Sequence, residues 1–172
     1  MSPLGEGAHA LGLLPLLWVA SHFERRAEYW WLAVAFGVSF LADSAAHTLN
    51  PAVVSAVYPV LQAGLVGAVF LSRANASAFV ALLVAAGWAS LQLGQSPDWL
   101  LHSVAWVGCA FLAYHRAPGR VKEALVLYFG LGWLAWLSYV LSPGWASWGT
   151  FQGIRALGIL WFCLAQQERA VA

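Results

Sequence analysis

Apolar residues run in long blocks along this chain, and polar residues are confined to short breaks between them. Seven blocks can be marked, at 5–23, 28–48, 51–72, 76–94, 98–115, 121–142 and 146–166. Most approach the ~20 residues that a helix needs to cross the hydrocarbon core of a bilayer. The breaks carry helix-ending chemistry: HFERRAE, TLNP, SRANAS, GQSPD, HRAPGRVKE and LSPGWAS. Asn50-Pro51, Ser96-Pro97 and Ser142-Pro143-Gly144 read as turns, because proline cannot continue the preceding helix and glycine tolerates the reversal. The first block is the weakest and carries Glu6, His9 and Pro15.

Composition narrows the class. The chain is 62% hydrophobic and 9% charged, far from the roughly one quarter charged of a soluble domain. A soluble fold has no way to cover so much apolar surface. The expected fold is an all-α membrane protein with seven transmembrane helices, forming one polytopic domain over residues 1–172. Its breaks leave no room for a separate soluble domain. No positive charge precedes the first block, so that block does not read as a secretory signal. The net charge of +1 and the lack of a long basic stretch exclude a nucleic-acid surface. Cys109 and Cys163 both fall inside apolar blocks and read as small buried hydrophobes.

Charge then orients the chain. Arg25, Arg26, Arg73, Arg116, Arg120, Lys122 and Arg169 all fall on one side of a seven-span layout, whereas Glu6 and Asp98 mark the other. Lys and Arg are retained on the cytoplasmic side. The N-terminus is therefore expected outside and the C-terminus in the cytoplasm, in a bacterial inner membrane. Trp30, Trp31 and Trp161 at inner ends, and Trp99, Trp145 and Trp148 at outer ends, fit the aromatic belts of a bilayer. Trp88, Trp106, Trp133 and Trp136 lie deeper and read as lipid or packing contacts.

A faint internal repeat accompanies this layout. A shift of 93 residues places His9 on His102, His22 on His115, FGVSFLA (36–42) on FGLGWLA (129–135), and Gln62 on Arg155. The half-repeats would be 5–73 and 98–166, with 76–94 as the linker helix that lets both halves share an orientation. Such parallel repeats occur among transporters. This 3+1+3, N-outside arrangement resembles the architecture of the sugar-exporting SWEET and PQ-loop families. The similarity is one of topology, not motif: Pro15 is followed by Leu16 where a Pro-Gln pair would stand, and Gly108 replaces a second proline.

One cation belongs to neither side. Arg155 lies inside the last block, about 12 Å below the outer edge at 1.5 Å per residue. An arginine at the bilayer centre costs ~2.5–3.5 kcal/mol on insertion scales, so intramembrane charges are usually paired and functional. Asp43 is the only acidic residue away from the ends of the second to seventh blocks, Glu28, Asp98 and Glu123 standing at block ends, and it lies about 8 Å below the same edge. It is the expected counter-ion. Other polar residues fall in stripes: Ser39, Asp43 and His47 at i, i+4, i+8; Ser55, Tyr58 and Gln62 at i, i+3, i+7; Gln152 and Arg155 at i, i+3. Together with Glu6, His9, Gln92 and His102, they predict a polar chamber facing outward, with Arg155 and Gln62 at its floor.

Three functions follow as expectations. In the first, a transporter or channel binds a small polar or anionic solute through Arg155, Asp43, Gln62, Tyr58, Gln152 and His47, with no cofactor. In the second, the chain is a non-catalytic subunit or assembly protein in a homo-oligomer or larger membrane complex, using Gly149-x-x-x-Gly153 and the alanine-rich fourth block for close helix contacts. In the third, His9, His47, His102 and Asp43 form the zinc site of a membrane-embedded hydrolase. Ceramidase-like seven-helix hydrolases use three His, an Asp and a Ser in this way, but their His-x-x-x-His pair is missing here. An enzyme is the less favoured outcome. A retinal receptor is excluded because its Schiff base needs an intramembrane lysine, and the single lysine, Lys122, falls at a cytoplasmic end.

Overall fold

A computed structural model of the chain describes residues 27–45, 50–92 and 97–171. The block at 5–23 and His47 lie outside that set. The described residues form six helices and no strand: α1 Ala27–Ala45, α2 Pro51–Phe70, α3 Arg73–Gln92, α4 Pro97–Arg116, α5 spanning residues 119–141, and α6 Trp145–Val171. Each coincides with one of the apolar blocks from the second to the seventh. α6 runs five residues past the predicted end at 166, because Gln166, Gln167, Glu168 and Arg169 are good helix formers that prolong it beyond the apolar stretch. Two segments, Val53–Phe70 of α2 and Gly119–Leu141, are long and apolar enough to cross a membrane, and Trp30–Ala42 is a shorter apolar stretch.

The described residues fall into two compact units, 27–109 and 110–171. In the first, α1 buries Leu32, Ala35, Phe36, Ser39 and Ala42, an i, i+3, i+4, i+7 stripe. That stripe packs on α2, which buries Gln62, Ala63 and Val66. Pro51 opens α2, at the position where a missing N–H costs nothing. Glycines bring α3 close: a Cβ on Gly67 would stand 3.2 Å from the Phe79 ring, and one on Gly108 of α4 would stand 2.8 Å from the same ring. α4 buries Leu101, His102, Ala105, Trp106 and Cys109 along one face.

In the second unit, α5 is not uniform. It is α-helical over Gly119–Leu125, π-helical over Val126–Leu131, and α-helical again over Gly132–Leu141. The Gly132 N–H reaches the Leu127 carbonyl, five residues back, as the wider turn requires. Gly130 and Gly132 lie in or beside this turn, and glycine weakens the preference for a regular α-helix. α6 buries Phe151, Gln152, Arg155, Ile159, Phe162 and Cys163, again a helical stripe. It packs against the whole length of α5. The two meet most closely at Gly158, where an added Cβ would lie 2.8 Å from Tyr128 Cβ and 3.0 Å from its Cα. Gly149 and Gly153, expected from their spacing to make close contacts, have no described atom within 4 Å of such a Cβ. The close approach belongs to the glycine that faces the π turn.

Around an apolar core, several large apolar side chains reach the surface and a few polar ones are buried. Leu41, Trp88, Phe111 and Trp145 are each more than 60% exposed, whereas Gln62, His102, Gln152 and Arg155 are at most 5% exposed. Trp106 and Trp136 are buried among the deeper tryptophans, and Trp88 is not.

Candidate functional site

Each unit contains one polar cluster. In the second unit the cluster forms because the buried stripe of α6 passes through Gln152 and Arg155, and α5 presents Tyr128 from its π turn. Arg155 Nη1 donates to Gln152 Oε1 at 3.2 Å, and Arg155 Nε donates a long bond to Tyr128 Oη at 3.4 Å. The guanidinium lies over the Phe151 ring at 5.1 Å and near the Tyr128 ring at 5.9 Å. The cation is thus clasped by an amide oxygen, a phenol oxygen and two aromatic faces, all of which stabilise positive charge. The spacing of Gln152 and Arg155 anticipated their contact. Tyr128 was not anticipated. Its only sequence signal is a hydroxyl in an otherwise apolar run, VLYFGL, and the π turn that aims it leaves no motif.

In the first unit, α2 and α4 bring Tyr58 and His102 together. Tyr58 Oη and His102 Nε2 share a hydrogen bond, and the rings meet edge to face at 4.9 Å. Trp106, one turn along α4, lies 6.2 Å from the His102 ring. One turn along α2 from Tyr58, Gln62 Nε2 donates to the Ala35 carbonyl of α1 at 3.0 Å. These side chains were predicted to face a solute chamber. They join helix to helix, and an intramolecular hydrogen bond of this kind contributes about 0.5–1.5 kcal/mol net. Gln62→Leu, similar in size and without the polar group, is therefore expected to change unfolding free energy by less than about 1.5 kcal/mol. Denaturation of the purified variant in detergent checks this, and a larger loss would mean that Gln62 does more than link α1 to α2.

The other expected site residues fare as follows. Asp43 lies on α1, but its side chain is outside the described set, as are His9 and His47. Of the ligand group His9, His47, His102 and Asp43, His102 alone has a described side chain, and its ring engages Tyr58. Among the described residues, no group of three or more His, Cys, Asp or Glu side chains converges to hold a metal ion. Gln92 is exposed, and Ser55 is intermediate in exposure. Cys109 and Cys163 are both buried thiols.

Comparison with protein-family models, with curated proteins and with solved structures gives no match.

Proposed function

We propose that this chain is a polytopic integral membrane protein of seven spans, N-terminus outside, in a bacterial plasma membrane, and that it binds and passes a small polar or anionic solute. The observation that carries this reading is Arg155, buried and clasped by Gln152 and Tyr128. The exposed Leu, Phe and Trp side chains support the membrane setting, since a lipid-facing surface favours them. An ionisable residue inside such a span marks a solute or ion path by default. A π turn adds to the case, because such turns occur frequently at functional sites. Asp43 would serve as the counter-ion, as the sequence suggests, and the 3+1+3 repeat would supply the two halves of an alternating-access device.

The test uses simple probes. Purified chain is melted in detergent with the sodium salts of chloride, nitrate, formate or phosphate, and with glycerol as a neutral solute. At least one anion is expected to raise the melting temperature of the wild type and to leave Arg155→Met unmoved. Equal responses in both proteins, or none in either, would remove the anion from the proposal.

A specific observation favours a second reading, that of a non-catalytic membrane subunit. Gln62 and Tyr58 are engaged with neighbouring helices, as assembly glue would be.

A further inference from the structure

The turn between α2 and α3 is short and tightly fixed. Leu71 N–H still donates to the Gly67 carbonyl of α2 at 2.8 Å. Ser72 then caps α3: its carbonyl accepts from Ala76 N–H at 2.8 Å and its hydroxyl from Asn75 N–H at 3.4 Å. Beside this turn lies a crevice of about 500 Å³, lined by Ala68 and Leu71 from the α2 side and by Arg73, Ala76, Ser77 and Val80 of α3. The α3 residues recur at i, i+3, i+4 and i+7, which is one helix face. Small side chains, Ala68 on one wall and Ala76 on the other, leave the room. Farther along α3 the gap narrows, because Val80 meets Gly64, where an added Cβ would lie 3.5 Å from Val80 Cγ2. The volume falls in the ~300–1,000 Å³ range of small-ligand sites. Every lining residue belongs to the first unit.

One charged group lines this crevice. Arg73 is exposed, and among the described residues its guanidinium has no hydrogen bond, ion pair or ring contact. Its place in the first turn of α3 opposes the helix dipole, so helix stability does not account for it. Ser77 Oγ donates to the Arg73 carbonyl at 3.0 Å and so serves the α3 backbone. Phe70 ends the apolar stretch Val53–Phe70, and Arg73 stands at the turn just beyond it. In a bilayer that puts the cation at headgroup level, with the apolar walls reaching below it. We infer that this crevice binds an acidic phospholipid, with its phosphate on Arg73 and the upper part of one acyl chain between Ala68, Leu71, Ala76 and Val80. Charge complementarity selects an anionic headgroup, since basic residues at a membrane surface attract such lipids. The four apolar lining residues select a lipid over a free phosphate, because only an acyl chain gains by covering them. This inference rests on the membrane reading and is independent of the solute site.

The test uses the full chain in mild detergent, titrated with phosphatidylglycerol, with phosphatidylcholine, or with soluble glycerol phosphate. Phosphatidylglycerol is expected to raise the melting temperature, as a ligand of the folded state does, and the other two are not. In Arg73→Gln, the phosphatidylglycerol concentration giving half the effect should rise about fivefold, the contribution of one surface cation. Ala76→Phe keeps the cation and fills the crevice; excluding a single methylene of the acyl chain should raise the half-effect about fourfold. Should that variant fail to fold, Ala68→Leu fills the crevice from the opposite, exposed wall and carries the same expectation. Arg116→Gln removes an exposed cation of the second unit and should leave the half-effect unchanged. An unshifted half-effect in Arg73→Gln or in the filled variant, an equal shift in Arg116→Gln, an equal response to phosphatidylcholine, or full stabilisation by glycerol phosphate overturns the inference. Recovery of the chain in carbonate-resistant membranes despite any of those results would leave the membrane reading standing. Recovery in the aqueous fraction would overturn both.

Discussion

Gly158→Ala should be among the most damaging single-methyl substitutions in this protein. The added Cβ would fall 2.8 Å from Tyr128 Cβ, 3.0 Å from Tyr128 Cα and 3.1 Å from its backbone nitrogen. Two of those atoms are backbone, so no rotamer change relieves the clash. Either α6 moves away from α5 or the π turn deforms. Overpacking typically costs ~1–3 kcal/mol, and a backbone obstacle places this case at about 3 kcal/mol or more. Gly149→Ala and Gly153→Ala supply the comparison. Open space surrounds both Cβ positions among the described residues, and alanine is the better helix former by about 1 kcal/mol. These variants should be neutral or more stable in detergent unfolding. If Gly158→Ala unfolds like its two neighbours, the contact between α6 and the π turn is not tight.

Arg155→Met is the second variant with a large expected effect. Methionine fills most of the arginine's length without its charge. If Asp43 is the counter-ion, the single variant leaves a carboxylate without its cation, and breaking a buried pair in this way costs ~3–5 kcal/mol. Adding Asp43→Asn should then recover most of that loss, because the orphaned charge is removed with its partner. The anion response should stay absent in both proteins. Recovery of stability together with a retained anion response would assign the guanidinium to packing and sink the solute reading. No recovery in the double variant would mean that Asp43 serves another group. Arg155→Lys is informative beside these. An ammonium keeps the charge but lacks the planar fork that reaches Gln152 and Tyr128 together, so it should weaken the anion response rather than abolish it.

Much of the helical layout was legible in the sequence because its punctuation is chemical. Pro51 opens α2 and Pro143-Gly144 follows the end of α5, and the described helices start and stop within a few residues of the predicted blocks. The buried face of α6 was legible for a similar reason: Gln152 and Arg155 share a stripe with Phe151 and Ile159, and a 3.6-residue period needs no tertiary knowledge. Facing between helices was not legible. Tyr58 belonged to a visible stripe and His102 was counted among the chamber and metal candidates, yet their hydrogen bond depends on how α2 and α4 are rotated about their axes. Within the chain the close approach falls to a lone glycine, Gly158, whose partner Tyr128 lies thirty residues earlier, and no spacing motif marks it. Tyr128 continues the regular buried stripe Val121, Ala124 and Leu125, but nothing in the sequence pairs its hydroxyl with a side chain on another helix.

That wide turn also gives α5 a mechanical character. A π turn absorbs one residue more than an α turn, so closing it would spin everything from Gly132 to Leu141 by about 100° about the helix axis. Ala135 and Trp136, now turned inward, would swing outward, and Leu134, now outward, would swing away from its present surroundings. The hinge of that rotation is the segment that carries Tyr128, whose hydroxyl receives the Arg155 bond.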